Sequence, residues 1–337
     1  MNKETEIIEK ILKILPKSKS LQNNFFESDA EILNYNNKKL LFSIDEFSQE
    51  DFFSDDNPYE LGKNVSIATI SDILASGGKP IFYSHSITMD IEKWDSNFIE
   101  AFTKGIADVL NELKAGFIGG DLGISQLWKY TGVVIGEAEN PITRIGATEG
   151  DLIYMTGHLG AGNIEAAKKL YLGNNLPENN LTLPTLRLSL RYKESKFINN
   201  YATSCIDSSD GVLNAINTIS ELNNVGYKIT HLPYSEEVIQ FCKLISKSKC
   251  LFFMGECGEY ELVFTVKKEH KDSFILEANS KQLSFTEIGV IENKHQKILQ
   301  TEEDHIDFIN YSIKARDYKD INEYLSELIN YVKNNRK

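Results

Sequence analysis

The chain has 337 residues, of which 25% are charged and 41% hydrophobic, a composition typical of a globular protein with room for roughly two domains. Its formal net charge of −13 argues against a surface that binds nucleic acid or an anionic membrane. The spacing of its four cysteines and six histidines, and the lack of an uncharged apolar run of ~18 residues, argue against a disulfide framework, a zinc site and a membrane span, and favour a cytoplasmic protein.

The first part of the chain alternates between helical and extended patterns. Residues 1–15 predict an amphipathic helix that ends at Pro16. Strands are predicted at 38–47, 79–89 and 130–138, and helices at 64–78 and from Asp95 or Ser96 to Gly116. The polar segment 139–151, ENPITRIGATEGD, is typical of a connection. We therefore expect an N-terminal domain over residues 1–145 and a C-terminal domain over residues 146–337.

The second part repeats this mixture of elements. Strands are predicted at 152–157, 260–266 and 285–291, and helices at 163–172, 211–226, 271–281 and 320–334. An Asn-rich loop is predicted at 173–180, and the last helix is amphipathic, so we expect it to pack on the body of the protein. Both halves therefore predict the α+β fold class.

Six aspartates stand in short motifs, several of them beside small residues at the end of an element. Carboxylates that are brought together repel each other and are costly to bury without a counter-ion. Mg²⁺ prefers oxygen ligands and often binds one or two carboxylates together with substrate phosphates. The pattern therefore favours a magnesium and phosphate site. The six residues are Asp29, Asp45, Asp72, Asp121, Asp207 and Asp210.

Each acid also has a structural interpretation, which the residues alone leave open. Asp207 or Asp210 could cap the helix that follows, because Asp is favoured at that position. Asp72 could face solvent, and Gly120–Asp121 could form a plain turn. The glycine pair 119–120 could instead let the backbone approach phosphate oxygens closely.

Nine short motifs follow one another in an order that resembles the aminoimidazole ribonucleotide (AIR) synthetase superfamily and, within it, the thiamine-monophosphate kinase family. The family patterns include STD, GGD and AxDxSDGL, and the resemblance covers nearly the whole chain. The matching segments are SDAEIL, LFSIDEF, SDILASGGKP, GFIGGD, ITRIGATEGDLIYMTG, LRLSLR, CIDSSDGVLNAI, GEYELVFTV and FTEIGVI.

The resemblance implies a two-domain protomer whose N-terminal mixed α/β domain contributes strands to a barrel shared across a homodimer. It implies ATP and Mg²⁺ as cofactors and thiamine monophosphate as the small-molecule substrate, with direct in-line transfer of the γ-phosphoryl group to give thiamine diphosphate. Nucleic acid and membrane partners are not expected.

The same resemblance assigns roles by position. Asp29, Asp45, Asp72, Asp121 and Asp210 would bind Mg²⁺, with Asp207 as a further ligand. Arg144 would contact phosphate, although a surface arginine at the interdomain link is the alternative. The residues assigned to catalysis are Asp72, Asp121 and Asp210, and those assigned to nucleotide binding, besides Arg144, are Gly119, Gly120 and Gly211.

Several positions depart from the family pattern. Ser28 replaces the first acid of the N-terminal pair, and LGIS at 122–125 replaces a segment that contains an arginine. Gly258 and Glu259 stand where the family has Glu and Asp, and ARDYKD at 315–320 only vaguely echoes an aromatic segment. Two alternatives therefore stand beside a divergent kinase of thiamine monophosphate. One is a paralogue that uses ATP on another acceptor, and the other is a non-catalytic nucleotide-binding dimer.

Overall fold

The computed structural model describes residues 3–49, 51, 53, 57–167 and 186–336. Two mixed β-sheets, each covered by helices, form the body of the protein, so the predicted α+β class is confirmed. The strands of the first sheet precede residue 139 and those of the second follow residue 151. No helix within the described residues has the length and apolarity needed to cross a bilayer.

The first sheet has five strands in the order β1-β2-β5-β3-β4. Neighbouring strands are antiparallel except β3 and β4, which are parallel and are connected through helix α3. Strand β4 lies at one edge of the sheet. The elements of this part are α1 (Lys3–Ile14), β1 (Glu31–Tyr35), β2 (Lys38–Ser48), α2 (Pro58–Ala75), β3 (Lys79–Met89), α3 (Ser96–Leu113), β4 (Gly116–Ile124) and β5 (Lys129–Ala138).

Helix α2 is buried along most of its length. It begins at the N-cap Asn57, whose side chain accepts a hydrogen bond from the backbone N–H of Glu60, and Pro58 occupies the first turn. The helix lies against strands β2, β3 and β5 and also contacts β7 of the second sheet. Because polar as well as apolar residues of α2 are enclosed, the side chains it carries are held in a fixed environment.

Among the described residues, the second sheet has seven strands in the order β12-β11-β8-β10-β6-β9-β7, and of these only β8 and β11 pair in parallel. Helices α6, α8 and α10 contribute to the core on one side, and α5 and α9 to the core on the other. Its elements are β6 (Leu152–Met155), α4 (Ala161–Ala167), α5 (Tyr192–Ile198), β7 (Ala202–Asp207), α6 (Val212–Leu222), β8 (Gly226–Ile229), α7 (Glu236–Ile245), α8 (Cys250–Met254), β9 (Leu262–Val266), α9 (Lys271–Ser280), β10 (Thr286–Glu292), β11 (Lys297–Gln300), β12 (His305–Asp307) and α10 (Ile321–Asn335).

The segment 186–190 crosses the predicted domain boundary. The side chain of Asn64 in α2 donates to the carbonyl of Leu186 at 2.8 Å and accepts from the backbone N–H of Leu188 at 2.9 Å. Both leucines are buried in the core of the first sheet. Part of the sequence after residue 146 therefore belongs to the core of the first sheet. The division between residues 145 and 146 remains a prediction.

The predicted elements agree with the structure except at some ends. Helix α3 begins at the N-cap Asp95, as predicted, but it ends at Lys114, which adopts a left-handed conformation with φ 57°, and not at Gly116. Gly116 instead begins β4, which includes the FIGGD motif. The last helix packs on the body through Tyr324, Leu328 and Val332, as expected. The end of the predicted helix 163–172 and the Asn-rich loop lie outside the described residues.

We predict that Gly132→Ala destabilises the fold, because α2 lies directly on this position of β5. A Cβ at residue 132 would lie 2.1 Å from Oγ1 of the buried Thr69, which donates to the carbonyl of Val65. Relieving that overlap requires α2 to move, at a cost of about 1–3 kcal/mol in the free energy of unfolding. Urea denaturation would measure it.

Gly116→Ala is the matched control, since the nearest atom to its added Cβ is 4.0 Å away. Equal effects of the two substitutions would contradict close packing of α2 on β5.

Candidate active site

Three carboxylates from distant parts of the chain meet at one point between the two sheets. Asp29 lies in the loop before β1, Asp72 in the last turn of α2 and Asp207 at the end of β7. One oxygen of each lies within 4.8 Å of the others. The structure thus brings together three of the six aspartates that the sequence singled out.

Asp45 joins this group from strand β2. Ser43 and Asp45 are two residues apart, so they project from the same face of the strand, the one that meets α2. The Ser43 hydroxyl donates to Oδ2 of Asp72. Asp45 lies close enough to Asp29, Asp72 and Asp207 for their charges to affect one another. We name the four residues Asp29, Asp45, Asp72 and Asp207 the carboxylate cluster.

Arg144 holds Asp29 in place. Its Nη2 and Nε donate to Oδ1 of Asp29 at 2.7 and 3.2 Å, and the Asp29 side chain is only 1% exposed. The backbone N–H of Arg144 donates to the carbonyl of Glu27, while Asn223 donates to the Arg144 carbonyl. The arginine therefore belongs to the support of the carboxylate cluster, and its contact with phosphate remains a prediction.

Asp207 is held by the residues that follow it. Its Oδ1 accepts a hydrogen bond of 2.8 Å from the Ser209 hydroxyl and one of 3.3 Å from the Ser209 backbone N–H. The residue is 3% exposed, because β7 is covered on both faces. The short turn after β7 therefore fixes one carboxylate oxygen and leaves the other to face the cluster.

Burial and mutual repulsion raise the pKa values of three members of the cluster, Asp29, Asp45 and Asp72. The pKa of Asp29 rises to about 6, chiefly because the side chain is buried, while Arg144 opposes the rise. The pKa of Asp45 rises to about 7 through burial and the nearby charge of Asp207. Burial followed by the charges of its neighbours raises the pKa of Asp72 well above the usual range. Four ionised carboxylates are therefore unfavourable here without added positive charge.

The donor set fits a divalent cation such as Mg²⁺. Oδ2 of Asp29, Asp45 and Asp207 are each buried without a hydrogen-bond donor among the described residues. Buried polar oxygens are seldom left unsatisfied, so these atoms indicate an ion that supplies the missing contact. All are carboxylate oxygens, which Mg²⁺ prefers over the nitrogen and sulfur ligands typical of zinc.

Two of the predicted metal ligands lie elsewhere. Asp121 is exposed in edge strand β4, opposite Ser86 of β3, and does not belong to the three-residue group. Asp210 is exposed at the start of α6, with one oxygen 3.7 Å from Nη2 of Arg316. Of the three aspartates assigned to catalysis, only Asp72 therefore lies in the cluster, and the roles of the other two remain predictions.

The helix cap predicted for Asp207 or Asp210 is wrong. The N-cap of α6 is Gly211, so neither aspartate occupies that position, and within the described residues no side-chain hydrogen bond is made at this cap. Gly211 has φ 86°, and a Cβ there would lie 2.2 Å from the carbonyl oxygen of Gly255, so this sharp turn requires glycine. Gly119 lies in β4 with φ 127° and open space around it, while Gly120 packs on His85. Their contact with phosphate stays a prediction.

A cleft with an empty volume of about 1360 Å³, partly open to solvent, adjoins the cluster at Asp45. Aromatic side chains form part of its wall. The ring of Phe53 lies 5.3 Å from that of Phe47 and 6.3 Å from that of Tyr260, measured between centroids. Ser209 and Asp210 line the cleft as well, so the turn after β7 connects it with the cluster.

The sequence analysis missed several residues of this site. Ser43 could have been found from its spacing, because it stands two residues before Asp45 in a predicted strand. Glu256, which lines the cleft, carries no signal of its own, and Arg316 was noted only as part of the segment 315–320 and not as a site residue. They reach the site through long-range packing that no local pattern encodes.

Comparison with known proteins supports the assignment to the AIR synthetase superfamily and narrows it to one family within that superfamily. Residues 27–138 match the family model "AIR synthase related protein, N-terminal domain". The thiamine-monophosphate kinase of Buchnera aphidicola is 31% identical over 86% of this chain and 90% of its own length. The chain belongs to the thiamine-monophosphate kinase family. The resemblance drawn from the nine motifs is therefore confirmed.

Other members of this family give the same result. The thiamine-monophosphate kinase of Pyrococcus horikoshii is 30% identical over 86% of this chain and 88% of its own length. A solved structure described as AaThiL complexed with AMPPCP and TMP covers 89% of this chain and 92% of its own, with a TM-score of 0.72 and 25% identity. The two-sheet fold is thus shared with members of the family across nearly the whole chain.

We predict that the metal-free protein loses stability as pH rises from about 4 to about 7. The folded-state pKa values of Asp29 and Asp45, about 6 and 7, lie above the ordinary value of 3.8. A raised carboxyl pKa contributes stability that is present below the ordinary value and is lost as pH rises through the folded value, on the order of 1–3 kcal/mol for this cluster. Thermal unfolding with and without Mg²⁺ would measure this, and Mg²⁺ should restore stability most at pH 7 and above.

Asp45→Asn should reduce both the pH dependence and the gain from Mg²⁺, whereas Glu302→Gln, at an exposed position, should change neither. An equal Mg²⁺ effect in all three proteins would contradict metal binding by the cluster.

Proposed function

We propose that this protein transfers the γ-phosphoryl group of ATP to the phosphate of thiamine monophosphate, with Mg²⁺, forming thiamine diphosphate and ADP. The single observation that carries the proposal is the carboxylate cluster with its unsatisfied oxygens, beside an open cleft, in a member of the thiamine-monophosphate kinase family. Such a cluster suits substrates whose phosphates arrive together with divalent cations.

The chemistry needs positioning and charge neutralisation more than covalent assistance. Mg²⁺, when bound, would neutralise the phosphate oxygens and align the reacting groups. Asp29, Asp45, Asp72 and Asp207 would hold it through the oxygens that face one another. Arg144 fixes Asp29 and Ser209 fixes Asp207, so these partners limit how far two of the ligands can move.

The chemistry of the acceptor phosphate reduces what the protein must contribute to the reaction. A phosphate monoester is largely ionised at neutral pH, since its second pKa is about 6. Its oxygen can therefore attack without a side chain that removes a proton. The main obstacle is repulsion between two anionic phosphates, which the acidic cluster would increase unless cations are bound. This is the physical reason for proposing an obligatory divalent metal.

The aromatic side chains of the cleft support binding of substrates with planar rings. Phe47, Phe53 and Tyr260 offer apolar faces against which a heteroaromatic ring can stack. Both ATP and thiamine monophosphate carry such rings together with phosphates. A cleft that joins aromatic faces to a carboxylate cluster matches this combination.

We predict that the purified protein, mixed with ATP, Mg²⁺ and thiamine monophosphate, forms thiamine diphosphate and ADP in equal amounts, as chromatography would measure. Asp72→Asn should lower turnover about a hundredfold or more, because the stabilisation that a metal gives a phosphoryl-transfer transition state is worth several kcal/mol. Asp121→Asn and Asp210→Asn, assayed beside it, would decide the roles that the sequence assigned to these residues.

Asp272→Asn is the matched control, since this aspartate is exposed in the first turn of α9. ADP without thiamine diphosphate would point to another acceptor. Neither product, despite ATP binding, would favour the non-catalytic nucleotide-binding dimer.

We also propose that two copies associate through the outer surface of the first sheet, as the shared barrel requires. Within the described residues, edge strand β4 pairs only with β3, and it exposes large apolar side chains, among them Leu122 at 63% and Ile124 at 69%. Ile44 and Phe82 are exposed on β2 and β3. Unpaired strand edges and contiguous apolar surface both favour association.

We predict that the protein sediments as a dimer and that Leu122→Asp shifts it towards the monomer, because a charge would be buried at the contact. Leu276→Asp is the control, since Leu276 is also exposed but lies on α9, beside the second sheet. A monomeric wild-type protein at micromolar concentration would contradict the proposal.

A further inference from the structure

The cleft that adjoins the carboxylate cluster is strongly acidic. Among the described residues that line it, five carry a carboxyl group and one, Arg316, carries a positive charge. The five acids are Asp45, Glu46, Asp51, Asp210 and Glu256. An anionic substrate that enters this cleft therefore meets a repulsive surface, which bound metal offsets near the cluster and Arg316 offsets at its own position.

The backbone that carries Arg316 is fixed to the walls of the cleft. Residues Ala315–Asp317 form a short 3-10 turn. The backbone N–H of Ala315 donates to Oε2 of Glu256 at 3.1 Å. Lys314, just before the turn, donates through Nζ to Oδ1 of Asn214, which lies on α6 four residues after Asp210. The turn therefore keeps the backbone of the arginine at the wall of the cleft.

The ion pair that Arg316 makes with Asp210 is suited to exchange. The closest nitrogen and oxygen are 3.7 Å apart, and the two side chains are 57% and 53% exposed. Exposed ion pairs of this kind contribute little to stability, so an anion with a better geometric fit can compete with this carboxylate for the guanidinium. A phosphate group is such an anion, because its oxygens match the planar fork of the guanidinium and accept two hydrogen bonds at once.

We propose that Arg316 is a substrate-binding residue that leaves Asp210 and contacts a phosphate group of a substrate in the cleft. The proposal rests on the proposed phosphoryl transfer for the identity of the substrates. Its ligand chemistry is a phosphate group, which either the acceptor monoester or the nucleotide can supply. Arg316 thereby adds to the cleft a positive charge that the protein itself provides, separate from that of the metal.

We predict that Arg316→Gln weakens binding of a phosphate substrate on the order of 10- to 100-fold, the loss typical of a hydrogen-bonded contact between charged groups. Calorimetry with Mg²⁺ would measure the affinity for thiamine monophosphate and for AMPPCP separately. Weaker binding of thiamine monophosphate alone would assign Arg316 to the acceptor, and weaker binding of AMPPCP alone to the nucleotide. Unchanged binding of both would overturn the proposal.

Two further variants distinguish the loss of a contact between Arg316 and phosphate from a loss of protein structure. Arg316→Lys keeps the charge but loses the planar fork, so it should restore part of the affinity. Arg187→Gln, which removes a surface arginine paired with Glu60, should leave both affinities unchanged. Thermal unfolding should be alike in all of them, and a large loss of stability in both Arg316 variants with no recovery by lysine would overturn a binding role.

The binding measurement can be interpreted even if the protein does not catalyse the proposed reaction. A wild-type protein that binds both ligands but forms no thiamine diphosphate would contradict the proposed function and still test Arg316. A wild-type protein that binds neither ligand would overturn both proposals. In an active enzyme, Arg316→Gln should raise KM for the affected substrate more than it lowers kcat, because the contact forms when the substrate binds.

Discussion

The mutual repulsion of four carboxylates is the constraint on which the rest of this structure depends. Asp29, Asp45, Asp72 and Asp207 come from four separate segments and are enclosed where water cannot fully solvate them. The raised pKa values of Asp29, Asp45 and Asp72 reflect the free energy needed to ionise these three side chains there. The fold must offset this cost elsewhere, and a bound divalent cation would reverse it, so the stability of the site and its ability to bind metal phosphates have the same physical origin.

In two of the four carboxylates, Asp29 and Asp207, the fold holds one oxygen by a hydrogen bond and leaves the other without a donor. Asp29 gives Oδ1 to Arg144 and Asp207 gives Oδ1 to Ser209, and in both residues Oδ2 is left without a donor. Asp72 accepts from Ser43 across the contact between α2 and β2. Asp29 and Asp207 are thus each oriented by a neighbour while one oxygen stays available, an arrangement that limits the reorganisation needed when a cation binds. The burial of α2 between the two sheets makes this orientation rigid.

The sequence predicted the elements better than it predicted the site. Hydrophobic periodicity located α2, α3, α6 and α10, because one face of each is apolar or the whole helix is enclosed. It missed β7, since Ala202–Asp207 carries threonine, serine and cysteine in place of an alternating apolar pattern. This strand nevertheless delivers Asp207 to the cluster. Motif order singled out all four members of the cluster, but it made Asp121 and Asp210 look equivalent to them. In the structure, the pairing of β4 with β3 places Asp121 away from the cluster, and the turn at Gly211 does the same for Asp210.

The departure from the family pattern at residue 28 is explained by the groups that surround it. Ser28, which replaces an acid, is buried and lies 3.2 Å from Ser76, measured between the hydroxyl oxygens, and the Ser76 hydroxyl accepts from the backbone N–H of Ala30. These bonds tie the loop that carries Asp29 to the C-terminal end of α2, the helix that carries Asp72. A carboxylate at position 28 would add negative charge next to a helix C-terminus, where the macrodipole already disfavours it. With serine there, the chain keeps the spacing of two ligands without adding another buried charge beside Asp29, whose ion pair with Arg144 is retained. The substitution therefore changes how the cluster is held together and leaves its four carboxylates in place.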